Sequence, residues 1–523
     1  MSISIFEKIK IPQYISFAML SAVTLGISQQ PIGLGFLAWI AFIPWVTTLS
    51  KLRDFKQINY SFFVFGFFYH LTVIFWLAFN IGTNQWVALV SMISTVIFLS
   101  IMILPGAVVW YCFQKSKKSQ LFVFPIVWTV LEYFRSLGTL AFPWVSIANT
   151  QLSYIYLIQI AEYTGIYGVS FWILLVNVAI YKSIKSKRLK TWLITAGIFC
   201  FPWIVGMIVI GTEELQNTEF ISIAVVQPNI HLSEKWEDSL KNEHVKTLTD
   251  LSSPSMMEDV DLIVWPETAL PVYLLKSGRR YLRKIREVME NSSSKVLTGI
   301  PHYDYIDKEY LSYNSVVMFD NSEIFEVYKK IQLVPMAEYV PLSGLFPSLS
   351  DLNFGQANFT RGRNHTLYQL NEWSFGAVIC FESTLPKLIR QFVLEGAHFI
   401  TIVVNDGWYE TAPEPQQHSR QAVFRAIENR RPVIRCANTG ISMIIDPLGN
   451  IKDMSELNAQ IVLNSRVYPQ SKKTFYTRFG DVFAGILVLI LLFRISIILR
   501  KNHTDEKNYS NTTIRINNLP SKS

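Results

Sequence analysis

Long apolar runs fill the chain up to about residue 210, and shorter, alternating ones follow. A helix that crosses a bilayer needs about 20 mostly apolar residues. Runs of that kind predict eight spans, at 13–30, 33–50, 59–81, 87–113, 120–137, 163–181, 191–210 and 480–499. Between 217 and 470 the period changes. β-Branched runs predict strands at 221–226, 262–265, 296–300, 315–319, 375–379, 399–404 and 432–436, with a hairpin at 441–452. Polar helical stretches lie between them at 233–251, 384–396 and 416–429. Strands alternating with helices predict a layered α/β domain. The sequence therefore divides into a seven-span membrane domain over 1–210, an α/β domain over 217–470, an eighth span over 480–499, and a polar tail over 502–523 whose composition predicts disorder.

Composition sharpens this division. Half of the 523 residues are hydrophobic and 16% are charged, whereas soluble chains carry about 25% charged residues. A wholly soluble enzyme and a disordered scaffold are thereby excluded. The net charge of +8 does not point to nucleic acid, because of where it sits. Lys8 and Lys10, then Lys51, Arg53 and Lys56, then Lys115, Lys117 and Lys118, then Lys182, Lys185, Lys187, Arg188 and Lys190 occupy alternate links between spans. The links at 28–33 and 81–86 are uncharged. Basic links stay on the cytoplasmic side. Both termini are thus expected inside, with the α/β domain outside. The first run follows Lys8 and Lys10 but lacks a small-residue cleavage site, so it reads as a span and not as a signal peptide. Glu132 and Arg135, three apart in the fifth span, are either a functional pair or a local ion pair.

Three apolar strands of the α/β domain end on a polar or reactive side chain: Glu267, Cys380 and Asn405. Ligands gather at strand ends in such sheets. With Lys330, these residues supply a base, a nucleophile and a cation. A carboxylate can take the proton of a thiol, and an ammonium can stabilise the thiolate and a later oxyanion. Each residue also has a plainer reading. Cys380 can be a packed residue, or the disulfide partner of Cys436 in an oxidising compartment. Glu267 can be a helix N-cap, Lys329 and Lys330 a solvated surface pair, and His418 the base for the thiol instead. Cys112 and Cys200 fall in spans. There is no C-x-x-C pattern, His cluster or Gly-rich phosphate loop, so neither a metal nor another cofactor is expected.

The strings Val264-Trp265-Pro266-Glu267-Thr268, Lys330-x-x-Leu333-Val334-Pro335 and Cys380-Phe381-Glu382 resemble those of the nitrilase superfamily, whose members use Glu, Lys and Cys on an αββα sandwich. With seven spans before this domain and one after, residues 10–500 resemble the apolipoprotein N-acyltransferase family, its membrane-embedded branch. Val226-Gln227-Pro228-Asn229, Glu338-Tyr339-Val340-Pro341, Asn405-Asp406-Gly407-Trp408, Phe142-Pro143-Trp144 and Gly165 through Phe171 agree. Met336-Ala337 stand where the family often has Phe-Gly, Gly407 where Ala is usual, and Phe381 where Tyr is common.

The resemblance implies an enzyme of the bacterial inner membrane that needs no cofactor. Cys380 attacks the sn-1 ester of a phospholipid such as phosphatidylethanolamine, Glu267 takes the thiol proton, and Lys330 with the Phe381 N–H stabilises the oxyanion. The acyl group then passes to a diacylated apolipoprotein. It further implies that Glu338 and Glu382 orient Lys330 and the catalytic centre, and that Trp236 and Trp408 line its mouth. A monomer is expected, since both substrates reach the site from the bilayer.

Segment 339–358 carries no basic residue and one acid, Asp351, among several large apolar side chains. It is expected to be a mobile arm that meets lipid through Phe346 and Leu349; the alternative is a loop folded on its own domain. Three other classes compete. A tethered amidase would use the same residues with water as acceptor. A transporter has the spans but no need of this outer domain. A scaffold with a dead catalytic domain would be expected to have lost the triad.

Overall fold

The computed structural model describes residues 11–114, 117–212, 219–340, 358–409 and 413–517. Eight helical segments stand where spans are expected; among the described residues five have the full length and apolarity of a span, Phe55–Phe79, Gln85–Cys112, Ile166–Ser186, Leu189–Thr212 and Val482–Arg500, and the other three are short, broken or charged. This corrects the expectation of eight uniform spans, and the causes are local. Gln13–Ser28 is apolar but has 16 residues. The run over 33–50 is split into a 3-10 turn, Gly35–Trp39, and a helix, Ile43–Leu49, with Pro44 in its first turn. Lys117–Arg135 carries Lys117, Lys118, Glu132 and Arg135. The last helix runs from Val482 to Asn517, so residues 502–517 are helical where a disordered tail is expected; an established helix propagates at one hydrogen bond per added residue.

Within the bundle, residues 143–151 form two 3-10 turns instead of a helix, and they are buried. Their backbone polar groups therefore need partners. Glu132 supplies them. Its Oε1 accepts from the Ile147 N–H at 2.9 Å and its Oε2 from the Ser146 hydroxyl at 2.9 Å. Arg135 lies 3.8 Å from Glu132 and donates to the Val145 carbonyl at 3.1 Å. Of the two readings of this pair, the structure carries the scaffold one.

The outer domain holds two six-stranded sheets. The first runs β12-β1-β2-β3-β4-β5 and the second β11-β10-β9-β8-β7-β6. The strands are β1 Ile221–Gln227, β2 Leu262–Val264, β3 Lys295–Ile306, β4 Glu309–Phe319, β5 Ile324–Lys329, β6 Leu367–Leu370, β7 Trp373–Ile379, β8 Phe399–Val404, β9 Val433–Ala437, β10 Met443–Ile445, β11 Ile451–Met454 and β12 Ile461–Val467. β1, β2 and β3 are mutually parallel, as are β7, β8 and β9. β1, β2 and β8 are almost wholly apolar and buried, as strands covered on two faces must be. Cys436 sits between the sheets and donates to the Val226 and Val264 carbonyls at 3.4 and 3.2 Å. It is buried and free, and the half-buried Cys380 is free as well, so the two form no disulfide.

Helices cover the outer faces. In Arg279–Met289, Tyr281, Leu282, Ile285 and Met289 are buried while its basic residues point outward, the stripe expected of a surface helix. Glu414–Asn429 is instead buried almost all round. It lies between the second sheet and the membrane bundle. Its Gln417 Oε1 accepts from the Trp76 and Trp144 indoles at 3.1 and 2.9 Å, and its Nε2 donates to Gln30 Oε1 at 3.1 Å. Its Glu428 accepts from the Ile166 N–H at 3.0 Å. The helix thereby fixes the sandwich to the bundle.

Candidate active site

Three strand ends bring the expected residues together. Glu267 follows β2, Lys330 follows β5 and Cys380 follows β7. Glu267 reaches its place because β3 passes it closely at Gly299, where a Cβ would lie 2.6 Å from the Glu267 Cα. Lys330 Nζ donates to Glu338 Oε1 at 2.8 Å and stands 3.9 Å from Glu267 Oε1. Asn314, in mid-β4, bridges the two acids by donating to Glu267 Oε1 at 2.7 Å and Glu338 Oε1 at 3.1 Å. The Asn405 N–H fixes Glu267 Oε2 at 3.0 Å. Lys235 donates to the Glu267 carbonyl at 3.0 Å. Glu267 is therefore held by side chains and backbone, not exposed as a helix cap. Lys330 is buried rather than a solvated partner of Lys329.

Cys380 opens a short 3-10 helix, Cys380–Thr384, with φ +51°. A left-handed conformation is costly for a side chain with a Cβ and persists only where its surroundings enforce it. The turn lifts the thiol off the strand. It also leaves the Phe381 N–H in a helical first turn, without an intrahelical acceptor.

The electrostatics set distinct roles. Burial drives the Cys380 thiol well above its usual pKa; Glu267 pushes the same way and Lys330 opposes only in part. Burial and Glu267 together thus favour the protonated thiol. Burial also raises the Glu267 carboxyl, against the pull of Lys330. A raised carboxyl is a better proton acceptor. Burial pulls Lys330 down, but Glu338 and Glu267 more than offset this, so its ammonium stays charged.

Glu382 does not touch Lys330. Its carboxylate accepts from the backbone N–H groups of Ile331, Gln332 and Ile379 at 2.7 to 2.9 Å and from Tyr328 at 2.9 Å. It ties the segment after Lys330 to the strand before Cys380, so it bears on the ammonium through the backbone, while Glu338 meets it directly. Burial raises this carboxyl to about 7 despite those donors.

A cavity of about 380 Å³ opens from the triad. Glu267, Lys330, Glu338, Cys380, Phe381 and Trp408 are among the residues that line it. So are Val87, Ala88, Ser91, Ser94, Thr95, Phe98 and Leu99, one face of the membrane helix Gln85–Met102. Trp236 is 46% exposed and is not among the lining residues. Phe346 and Leu349 lie outside the described residues.

Sequence reasoning missed Asn314, which looks like an ordinary strand residue, and left His418 open as an alternative base. Its Nε2 faces the Cys380 carbonyl at 3.2 Å and Ser383 Oγ at 3.1 Å, so that nitrogen is engaged with backbone and a hydroxyl. Its Nδ1 meets Asp406 at 2.9 Å and Glu414 at 3.4 Å. Oxygen and nitrogen atoms of Asp406, Glu414 and His418 lie within 4.8 Å of one another, a spacing a metal ion accepts. Arg435, however, already donates to Asp406 at 2.7 Å, so this cluster contains its own cation.

Comparison with known proteins agrees with these parts. Residues 21–179 match the model of the apolipoprotein N-acyltransferase N-terminal domain, and residues 222–464 that of carbon-nitrogen hydrolases. An apolipoprotein N-acyltransferase of Geobacter metallireducens is 33% identical over 90% of this chain and 92% of its own length. One from Chlorobaculum tepidum is 31% identical over 91% and 96%. Among solved structures, Saccharomyces cerevisiae Nit3, of branch 10 of the nitrilase superfamily, covers 48% of this chain and 91% of its own at 19% identity, with a TM-score of 0.37.

Proposed function

This chain belongs to the apolipoprotein N-acyltransferase family, and we propose that it moves the sn-1 acyl chain of a phospholipid to the α-amino group of a diacylglyceryl-cysteine at a lipoprotein N-terminus. Glu267 takes the Cys380 proton as the sulfur attacks the ester carbonyl. The new oxyanion is met by the Lys330 ammonium and the Phe381 N–H. Collapse expels the lysophospholipid alkoxide, which receives the proton from Glu267, and a thioester remains on Cys380. The acceptor amine then attacks the thioester carbonyl, Glu267 takes a proton from the amine, and the leaving thiolate recovers it. Glu338 and Asn314 hold the base and the ammonium at fixed separation, and Trp408 walls the cavity. The outer domain faces the periplasm, both termini face the cytoplasm, and a single copy suffices.

The observation that carries this reading is the cavity. It joins the triad to the face of Gln85–Met102 that includes Val87, Phe98 and Leu99. An acyl chain can lie along such a wall with its ester at Cys380. An amidase acting on a small soluble amide, with water as acceptor, has no use for it. The test supplies the purified protein with phosphatidylethanolamine labelled in its sn-1 chain and a diacylated lipopeptide. Label on the lipopeptide amine, with an equal amount of lysophospholipid, is expected. Label released as free fatty acid whether or not the lipopeptide is present would favour hydrolysis instead.

A further inference from the structure

We propose that His418 is a positioning residue that aims the Phe381 N–H at the oxyanion. The inference rests on the acyl-transfer reading above. Its starting point is the contact between His418 Nε2 and the Cys380 carbonyl, at 3.2 Å. That carbonyl and the Phe381 N–H belong to one peptide unit. A trans peptide is planar, with its C=O and N–H directed oppositely. Whatever holds the Cys380 oxygen therefore sets the direction of the Phe381 N–H. Cys380 itself does not set it, because its φ of +51° is a strained value that the surroundings must impose.

Two donors converge on that oxygen. The Ser383 hydroxyl gives it a hydrogen bond at 2.8 Å. Ser383 has then spent its proton, so its oxygen, 3.1 Å from His418 Nε2, is an acceptor like the Cys380 carbonyl at 3.2 Å, and one ring hydrogen is shared between the two. Nε2 thus carries hydrogen. On the other side, Nδ1 faces Asp406 Oδ1 at 2.9 Å and Glu414 Oε1 at 3.4 Å, both acceptors, with Arg435 Nη2 further away than Asp406, at 3.3 Å. The closest contact makes Nδ1 a donor too, and the ring an imidazolium. Burial and Arg435 oppose that charge, and Asp406 with Glu414 outweighs them to raise the His418 pKa.

The ring is fixed from behind. Arg435 holds Asp406 at 2.7 Å and the Ile441 carbonyl at 3.1 Å. Trp144, from the buried non-helical segment of the bundle, lies against the imidazole with centroids 5.1 Å apart. His418 is adjacent to Gln417, the residue that clasps Trp76 and Trp144. The direction of the Phe381 N–H is thereby set jointly by the second sheet and by the membrane bundle.

The test uses the full-length protein in detergent and two probes of the thiol. p-Nitrophenyl butyrate acylates through an oxyanion, whereas iodoacetamide alkylates sulfur without one. His418→Ala is expected to slow the p-nitrophenol burst by about 10²-fold, the loss typical of one oxyanion donor, mainly in kcat, while alkylation of Cys380 changes far less. His418→Gln, which retains an N–H towards Cys380, is expected to recover most of the burst. If His418→Ala does not fold, His418→Asn replaces it, since Asn reaches Asp406 but not Cys380. An unchanged burst, equal losses of burst and alkylation, or no recovery in His418→Gln would each overturn the proposal. A wild-type burst without any acyl-enzyme from phospholipid would remove the lipid reading and leave this one standing. No wild-type burst, in protein that does form an acyl-enzyme from phospholipid, would overturn the proposal and leave the lipid reading standing.

Discussion

Glu267 and Lys330 both lie under buried conditions, and they answer them differently. Burial raises the carboxyl of Glu267 above its usual 4.5, while Glu338 keeps Lys330 charged against the same burial. The pH dependence follows from these directions. A base is lost as pH falls through its own pKa, so acyl-enzyme formation should decline on the acid side at a pH above the ordinary glutamate range. The Lys330 ammonium, with its pKa raised, should cause no loss at mildly alkaline pH. Single-turnover acylation followed across pH checks this, and Glu267→Gln should be slow and flat over the acid limb. Glu382 makes a second prediction. Every donor around it needs an acceptor, and Glu382→Gln puts an amide NH₂ among them. Leaving one buried donor unpaired costs about 1–3 kcal/mol, so the variant should unfold at a lower temperature in detergent. Glu267 and Cys380 were legible in the sequence because each follows an apolar run, whereas Lys330, beside Lys329, stood out only through the string it shares with the nitrilase superfamily. Asn314 was not, since a polar residue inside the half-solvated strand β4 carries no mark of the two acids it bridges. Trp236 was singled out with Trp408, yet only the latter reaches the cavity.

At the scale of elements, Gln85–Met102 is both a membrane helix and a wall of the site. Ala88, Ser91, Thr95 and Leu99 recur at helical spacing along the cavity. A large side chain at Ala88 should narrow that wall without touching the triad. Ala88→Trp is expected to slow acylation by long-chain phospholipid by about 10-fold or more, near 1.4 kcal/mol on the barrier, and to spare p-nitrophenyl butyrate. Equal slowing of both would show that the wall does not receive the acyl chain. The sequence pattern found all six strands of the two central triplets. It found only the inner parts of β3 and β4, because tyrosines, Asp304 and Ser312 interrupt the outer part of that long hairpin. It missed Arg279–Met289, whose basic residues obscure a stripe of four buried side chains. The spans at 33–50 and 120–137 were drawn too uniform, since Pro44 and the Glu132–Arg135 pair reshape them.

For the whole molecule, the two parts are bound through buried polar contacts at Gln417 and Glu428, so the catalytic sandwich does not ride on a loose tether. Its side of the membrane is a matter of charge. The basic links at 51–56, 115–118 and 182–190 imply one common face. Reporter fusions at 52, 116, 186 and 505 should report cytoplasm and one at 290 periplasm; a periplasmic signal at 186 would break the arrangement. The central claim, that acyl transfer passes through a thioester on Cys380, is tested most directly by mass spectrometry of the intact protein given phospholipid and no acceptor. One added acyl group is predicted, released by hydroxylamine, mapped to Cys380 and absent from Cys380→Ala. An acyl group on another residue, or none under conditions where the complete reaction runs, would contradict the account.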